Sequence, residues 1–286
     1  MTNDLIKKEK RAIMALQSFE PECGYELGYS GGKDSDVIKI LATVANVKFE
    51  AVHNHTCLDA PETVRYIRAQ KDVKISYADH SFWWYLTNKK MYPPTRLVRW
   101  CCNIFKESRG TGKPVILGVR KSESIHRKNN GGDIKIIQKP ESTKKIASEL
   151  GANFAVTPQN GVVLNFDNAP ARRVVEQCYR TRKIMINPIA EWTNDDVWDY
   201  LHYYGCNSNP LYQCGFSRIG CIGCPMAGRY RYTEFRLYPK YKQMYINAFD
   251  KMIKKRIERG LDIVWLNGDE CFAWWMEENP DQLKLY

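Results

Sequence analysis

The spacing of apolar positions changes several times along this chain, and each change predicts an element. Residues 4–17 set Ile, Leu and Met among lysines at helical intervals, an amphipathic helix. Residues 25–29 form a short apolar run that reads as a buried strand, and a helix is expected from Val37 onward. Further strands are expected at 47–55, 73–77, 114–119 and 183–189. A helix is expected to open at Ala60-Pro61-Glu62-Thr63, with proline in its first turn, and others to cover 80–91, 97–107 and 142–151. Residues 129–132 read as a turn and 152–166 as a short β-rich excursion. Asn194, Asp195 and Asp196 are expected to cap a helix that carries Trp198 and Leu201. Residues 205–226 are rich in Gly, Pro and Cys without a period, and 229–286 read as mostly helical.

Strands alternating with helices through residue 120 predict an α/β fold with a parallel twisted sheet and helices on both faces. The expected division is a nucleotide-binding domain over 1–226 and a helical C-terminal extension over 227–286. Open sheets of this kind bind ligands beyond the carboxyl ends of their strands. Three segments reach such ends: the turn after 25–29, residues 56–62, and Gly118-Val119-Arg120.

The first of these reads Ser30-Gly31-Gly32-Lys33-Asp34-Ser35. Glycines let backbone N–H groups approach a phosphate, and the following helix adds positive potential at its N-terminus. Lys33 adds a cation, and Ser30 and Ser35 add hydroxyl donors. Gly, Ser and Asp also suit an ordinary turn. The six residues match the pattern of the PP-loop ATP pyrophosphatases, which this turn resembles, and their spacing is not that of a Walker A loop.

Composition narrows the class. A chain of 286 residues, 44% of them hydrophobic, can bury a substantial core. No run is apolar and long enough to span a bilayer and no leader is evident, so a soluble cytoplasmic protein without a membrane partner is expected. Forty-three basic residues against 32 acidic ones give a net charge of +11, which favours nucleotides or nucleic acid as partners. Ten cysteines in such a chain read as metal or cluster ligands where they are grouped and as small buried hydrophobes where they are scattered. Cys221-Ile222-Gly223-Cys224 is half a ligand set, and Cys101-Cys102 is the conspicuous second half. Cys206 and Cys214 compete for that place by their proximity in sequence. Zinc, an iron–sulfur cluster and redox disulfide chemistry all remain open to this pattern.

Several segments together resemble the phosphoadenosine phosphosulfate reductase family of the PP-loop superfamily. They are residues 30–35, Asp59-Ala60-Pro61-Glu62-Thr63, Arg99-Trp100-Cys101-Cys102 with Lys106, and Gly118-Val119-Arg120 with Glu123 and Arg127. Asn187-Pro188 leading into residues 192–198, and Asn209-Pro210-Leu211-Tyr212 leading into Gly220-Cys221-Ile222-Gly223-Cys224-Pro225, complete the set in order. The resemblance implies a Rossmann-like adenine-nucleotide α-hydrolase fold. It also implies a 4Fe–4S cluster on Cys101, Cys102, Cys221 and Cys224, with zinc as the alternative. Two departures stand out. The Glu-Cys-Gly-Leu-His tail of the sulfonucleotide reductases is reduced to Glu270-Cys271, and the phosphate loop is intact. Both point away from sulfate reduction and toward ATP cleavage, in the manner of sulfur-transfer proteins similar to the DNA phosphorothioation enzymes.

The expected chemistry follows. ATP would lie on Ser30, Gly31, Gly32, Lys33, Asp34, Ser35, Asp59, Glu62, Gly118 and Arg120, with Mg²⁺ held by Asp34. Lys33, Asp34 and Arg120 would serve catalysis, while an acceptor oxygen attacks the α-phosphorus and is later replaced by sulfur from a donor protein. DNA, tRNA and a small molecule all fit as acceptor. Residues 229–242 interleave Arg and Lys with Tyr, which suits a nucleic-acid strand or, equally, an amphipathic helix with solvated charges. The competing functions are a thiol-dependent adenylyl sulfate reductase using Cys271 and a non-catalytic nucleotide- and metal-binding module.

Overall fold

Buried residues of the first apolar run form β1 (Tyr25–Gly28) in the computed structural model, which describes residues 1–107, 112–123, 134–137, 154–156, 162–164 and 183–277. β1 pairs in parallel with β2 (Phe49–His55) on one side and with β4 (Val115–Ile116) on the other. β3 (Val73–Tyr77) lies at the edge beside β2, and β4 pairs in parallel with β8 (Lys183–Ile186). The expected parallel sheet is thus present, and it continues where the apolar pattern gave no strand. β5 (Ile134–Ile137) runs antiparallel to β8 and to β7 (Val162–Leu164), and β6 (Phe154–Val156) runs antiparallel to β7. The excursion expected at 152–166 supplies β6 and β7. Arg127, the turn at 129–132, the helix at 142–151 and residues 278–286 lie outside the described residues.

Contacts divide the chain into two compact units. One comprises residues 1–53, 62–75 and 110–219, and the other 54–61, 76–109 and 220–286. Residues 220–226, expected with the nucleotide-binding domain, share a unit with the C-terminal helices.

In the first unit α1 (Asn3–Ser18), α2 (Lys33–Val44) and α3 (Pro61–Ala69) accompany the sheet. Leu5, Leu16, Leu27, Leu41, Ile116 and Trp192 form part of one buried core there. α2 begins at Lys33, four residues before its first apolar position, because Ser35 closes the turn. The Ser35 hydroxyl accepts the Gly32 N–H at 3.1 Å and donates to the Gly32 carbonyl at 2.7 Å. β4 is shorter than its apolar run because Gly118 lies against the Asp34 backbone, where an added Cβ would stand 2.9 Å from the Asp34 carbonyl oxygen. The cap of the later helix, Asn194–Tyr203, is Thr193 rather than the three residues after it. Thr193 Oγ1 accepts the Asp196 N–H at 3.1 Å, and Asp196 accepts the Thr193 N–H at 2.7 Å.

In the second unit the segments expected as plain helices at 80–91 and 97–107 are each mixed. α4 (Phe82–Trp84) widens into a π-helical stretch at Tyr85–Lys90, and α5 (Trp100–Cys102) does the same at Asn103–Glu107. Counting the Asn194–Tyr203 helix as α6, the C-terminal helices are α7 (Tyr230–Leu237), α8 (Pro239–Glu258) and α9 (Gly268–Glu277). Phe235, Tyr245, Phe249 and Trp275 meet ring against ring between them. Among the described residues no helix is long and apolar enough to cross a membrane.

A phosphate-type loop and a four-cysteine group

The first unit folds the turn at 30–35 tightly. Gly31 adopts φ +72°, and a Cβ there would stand 2.8 Å from Ile67 of α3, so glycine is required on two counts. Asn209, fully buried, donates to the Gly31 carbonyl and to Thr63 Oγ1, both at 3.0 Å. The Lys33 N–H donates to the Tyr212 hydroxyl at 3.0 Å.

The charged residues converge. The Arg120 guanidinium is buried and donates to Asp34 Oδ1 at 2.6 Å and to Ser122 Oγ at 3.0 Å. Lys33 Nζ lies 3.6 Å from the other Asp34 oxygen. Burial pushes the Lys33 amine below its ordinary range, Arg120 and Arg218 push the same way, and Asp34 opposes them. Two cations packed around one carboxylate leave local positive charge in excess, which suits a polyanion. The structure therefore brings together Ser30, Gly31, Gly32, Lys33, Asp34, Ser35, Gly118 and Arg120, as the sequence led us to expect. It gives Asp34 two cationic partners where the sequence suggested a magnesium ligand. Glu62 stands in the first turn of α3 and pairs with Arg65 at 3.2 Å.

Asp36 was not singled out by sequence. Its buried carboxylate accepts from Tyr29 at 2.6 Å and from Ser208 at 3.2 Å. Burial pushes its pKa up to about 6 against the pull of those hydrogen bonds. Tyr212 and Asn209 were matched as motif residues without a role, because nothing in the sequence says that this segment folds back over the loop.

The second unit gathers the cysteines. Cys101 and Cys102 sit on α5, and Cys221 and Cys224 on the loop before α7; none of the four is in a disulfide. The loop is held by its backbone. The Ile222 N–H donates to the Leu58 carbonyl at 2.8 Å, the Gly223 N–H to Glu234 at 2.7 Å, and Tyr245 donates to the Ile222 carbonyl at 3.0 Å. Thr56 Oγ1 lies 3.4 Å from the Cys221 sulfur. The four thiols share one electrostatic neighbourhood. A hydrogen bond with Cys102, then burial and the charges of Cys221 and Cys224, raise the Cys101 pKa. Burial pushes Cys221 up to about 11, with Lys106 opposing, and Lys106 is raised in turn chiefly by Cys221. Asp59 belongs with this group: it accepts from Thr56 N–H and Oγ1 at 3.2 and 3.0 Å and acts on Cys221 and Lys106. Cys206 and Cys214 lie in the other unit, and Cys206 has Asp36 and Lys39 for neighbours.

The donor set is all sulfur with a lysine beside it. Tetrahedral zinc at about 2.3 Å from each ligand draws its sulfurs to about 3.8 Å of one another. Among the described residues no three cysteine sulfurs lie within 4.8 Å of each other. A cubane, which seats each sulfur on its own corner metal, asks for wider spacing.

Two other segments take structural places. Cys271 is fully buried on α9, and burial raises its pKa. Arg231, one of the cations of 229–242 read either as an acceptor surface or as solvated helix charges, is buried under α9, where both Nη atoms donate to the Trp275 carbonyl at 3.1 Å. Tyr241 donates to the Asp59 carbonyl at 2.8 Å, while Arg229, Arg236, Lys240 and Lys242 stay exposed. Trp275 is core, and Trp84 stacks on His80 at 3.7 Å.

An uncharacterized protein of Methanocaldococcus jannaschii is 24% identical over 97% of this chain, which spans 59% of that protein's length. An adenosine 5'-phosphosulfate reductase of Anoxybacillus flavithermus is 36% identical over 74 residues, covering 25% of this chain and 30% of the enzyme. A solved phosphoadenylyl-sulfate reductase from Candida auris superposes with a TM-score of 0.44 at 13% identity, over 77% of this chain and 96% of that one. The profile of the phosphoadenosine phosphosulfate reductase domain matches residues 25–227, which take in the loop, Arg120 and all four grouped cysteines. With most of its length under that one profile, the chain belongs to the phosphoadenosine phosphosulfate reductase family.

Proposed function

We propose that this protein is an ATP pyrophosphatase that adenylates an acceptor oxygen in preparation for sulfur transfer. The observation that carries the reading is the loop, with Lys33 and Arg120 packed around Asp34 at the N-terminus of α2. ATP lays its phosphate tail on this loop. The acceptor oxygen forms a bond to the α-phosphorus, the bond to the bridging oxygen breaks, pyrophosphate leaves, and the acceptor proton passes to solvent. Lys33 and the loop amides take up the charge that grows on the leaving group. Asp34 holds Lys33 and Arg120 in place, so magnesium enters with the nucleotide phosphates, as it does where few protein ligands are offered. Sulfide then displaces AMP from the activated acceptor. The basic balance of the chain favours a nucleic acid as that acceptor.

Cys101, Cys102, Cys221 and Cys224 are the residues that would hold a 4Fe–4S cluster. Bound there, it supplies thiolate-ligated iron that can carry or position sulfide. Protein purified without oxygen is expected to contain iron and acid-labile sulfide, and Cys101→Ala with Cys102→Ala to contain neither. Zinc in stoichiometric amount, or iron retained by the double variant, would refute the assignment.

Pyrophosphate release from MgATP in the presence of candidate acceptors tests the reaction itself. Arg120→Ala is expected to slow it about 10²-fold, the usual cost of one preorganised donor. Release at the wild-type rate would remove Arg120 from the site. A sulfonucleotide reductase needs an accessible thiolate, and the burial of Cys271 speaks against it. Cys271→Ser is accordingly expected to leave pyrophosphate release unchanged, and wild-type sulfite release from adenylyl sulfate that vanishes in this variant would reverse that conclusion.

A further inference from the structure

The Tyr212 side chain reaches the first residue of α2. Its hydroxyl oxygen accepts the Lys33 N–H at 3.0 Å, and the Lys33 ammonium lies 5.4 Å from its ring centroid. The same hydroxyl would be 3.2 Å from a Cβ built on Gly32. Lys33 is the first residue of α2, so its amide is one of the donors that no carbonyl within the helix can satisfy. One side chain thus meets both an orphan amide and the cation next to it, the two groups that a bound anion would take.

We infer that Tyr212 is a built-in stand-in for the phosphate tail, holding the Lys33 amide until a phosphate oxygen of a nucleotide or of pyrophosphate takes over that bond and the tyrosine turns aside. This rests on the nucleotide reading of the loop given above. The exchange runs in the required direction. A phosphate oxygen makes a charge-assisted hydrogen bond, roughly twice as strong as that of a neutral hydroxyl. The Lys33 ammonium likewise exchanges a ring face for a full negative charge.

The surrounding contacts decide what moves. Asn209 is pinned to Gly31 and Thr63, and Ser208 donates to Asp36 at 3.2 Å. With both anchors lying just before it in sequence, Tyr212 leaves by side-chain rotation rather than by opening of the segment. Rotation breaks its edge-on contact with Trp198, whose ring centroid is 5.0 Å away at 90°. Displacement is therefore coupled to an indole that can be observed.

Tyr212→Phe isolates the hydroxyl, since it keeps the ring and its contact with Trp198. Calorimetric titration of the full chain with inorganic pyrophosphate and with MgATP is expected to show roughly 2- to 10-fold tighter binding by the variant, the worth of one competing hydrogen bond. Without ligand the variant should melt below wild type, and at saturating pyrophosphate the two should melt together. Pyrophosphate should also change the tryptophan emission of wild type, and Trp198→Phe should remove that change. Weaker or unaltered binding by Tyr212→Phe, or an emission change that survives in Trp198→Phe, overturns the displacement. If wild type binds neither probe, the nucleotide reading itself falls, an outcome distinct from binding that the variant leaves unaltered.

Discussion

Gly223→Ala is expected to destabilise the cysteine-bearing unit by about 2–5 kcal/mol, combining a left-handed backbone penalty with overpacking. Gly223 lies between Cys221 and Cys224 with φ +74°. A Cβ at this position would stand 2.5 Å from the Phe235 ring, 3.1 Å from Trp275 and 3.2 Å from Tyr245. None of these rings can give way, because each is packed against the others. The same shift would pull the Gly223 N–H from Glu234 and the Ile222 carbonyl from Tyr245. Urea unfolding followed by tryptophan fluorescence should show the loss. A change below about 1 kcal/mol would mean that the loop relaxes freely and that its shape does not depend on the aromatic wall.

Asp36→Asn should act in the opposite direction. The carboxyl has a pKa of about 6 in the folded protein against an ordinary value of 3.8. Between these values the folded state binds more protons than the unfolded one, so wild-type stability falls as pH rises through the window from 3.8 to 6. Above pH 6 the cost of the buried charge is fully present, about 3 kcal/mol for a shift of this size. Asparagine carries no charge, keeps an oxygen for the Tyr29 hydroxyl, and offers an N–H to Ser208. The variant should therefore be more stable than wild type at pH 7, by up to about 3 kcal/mol, and the gap should close toward pH 4. Denaturation midpoints across pH 4–8 measure it. A wild-type stability that rises with pH across this window would show that the hydrogen bonds to Asp36 outweigh its desolvation.

Gly223 lies within and Asp36 just after a motif that the sequence displays, and the packing that singles each of them out is not in the sequence. Ser30-Gly31-Gly32-Lys33-Asp34-Ser35 was legible because strand, turn and helix are neighbours in the chain, and local chemistry dictates that turn. Asp34 was legible as a residue of that turn, while its partner Arg120 arrives from 86 residues away and could not be read from it. Asp59 was grouped with the nucleotide because its segment follows a strand end. Its contacts with Thr56 and its influence on Cys221 come from tertiary folding that no periodicity encodes. The β5 strand was missed for a related reason: four residues, Ile134–Ile137, are too short a run to stand out until β8 and β7 give them partners. The basic tyrosine-rich stretch at 229–242 shows the limit from the other side. Arg231 reads as a surface cation and is instead a cap on the carbonyls at the end of α9.

The cysteine-bearing unit is woven from three separate stretches, 54–61, 76–109 and 220–286, with long runs of the other unit between them. On the ribosome, Cys101 and Cys102 emerge more than a hundred residues ahead of Cys221 and Cys224, and the aromatic wall formed by Phe235, Tyr245 and Trp275 comes later still. Half of the grouped thiols therefore leave the ribosome well before the other half. Any site that the four thiols build together is expected to be complete only after residue 224 has emerged, and release of shorter chains to leave the Cys101-Cys102 dithiol without its counterpart.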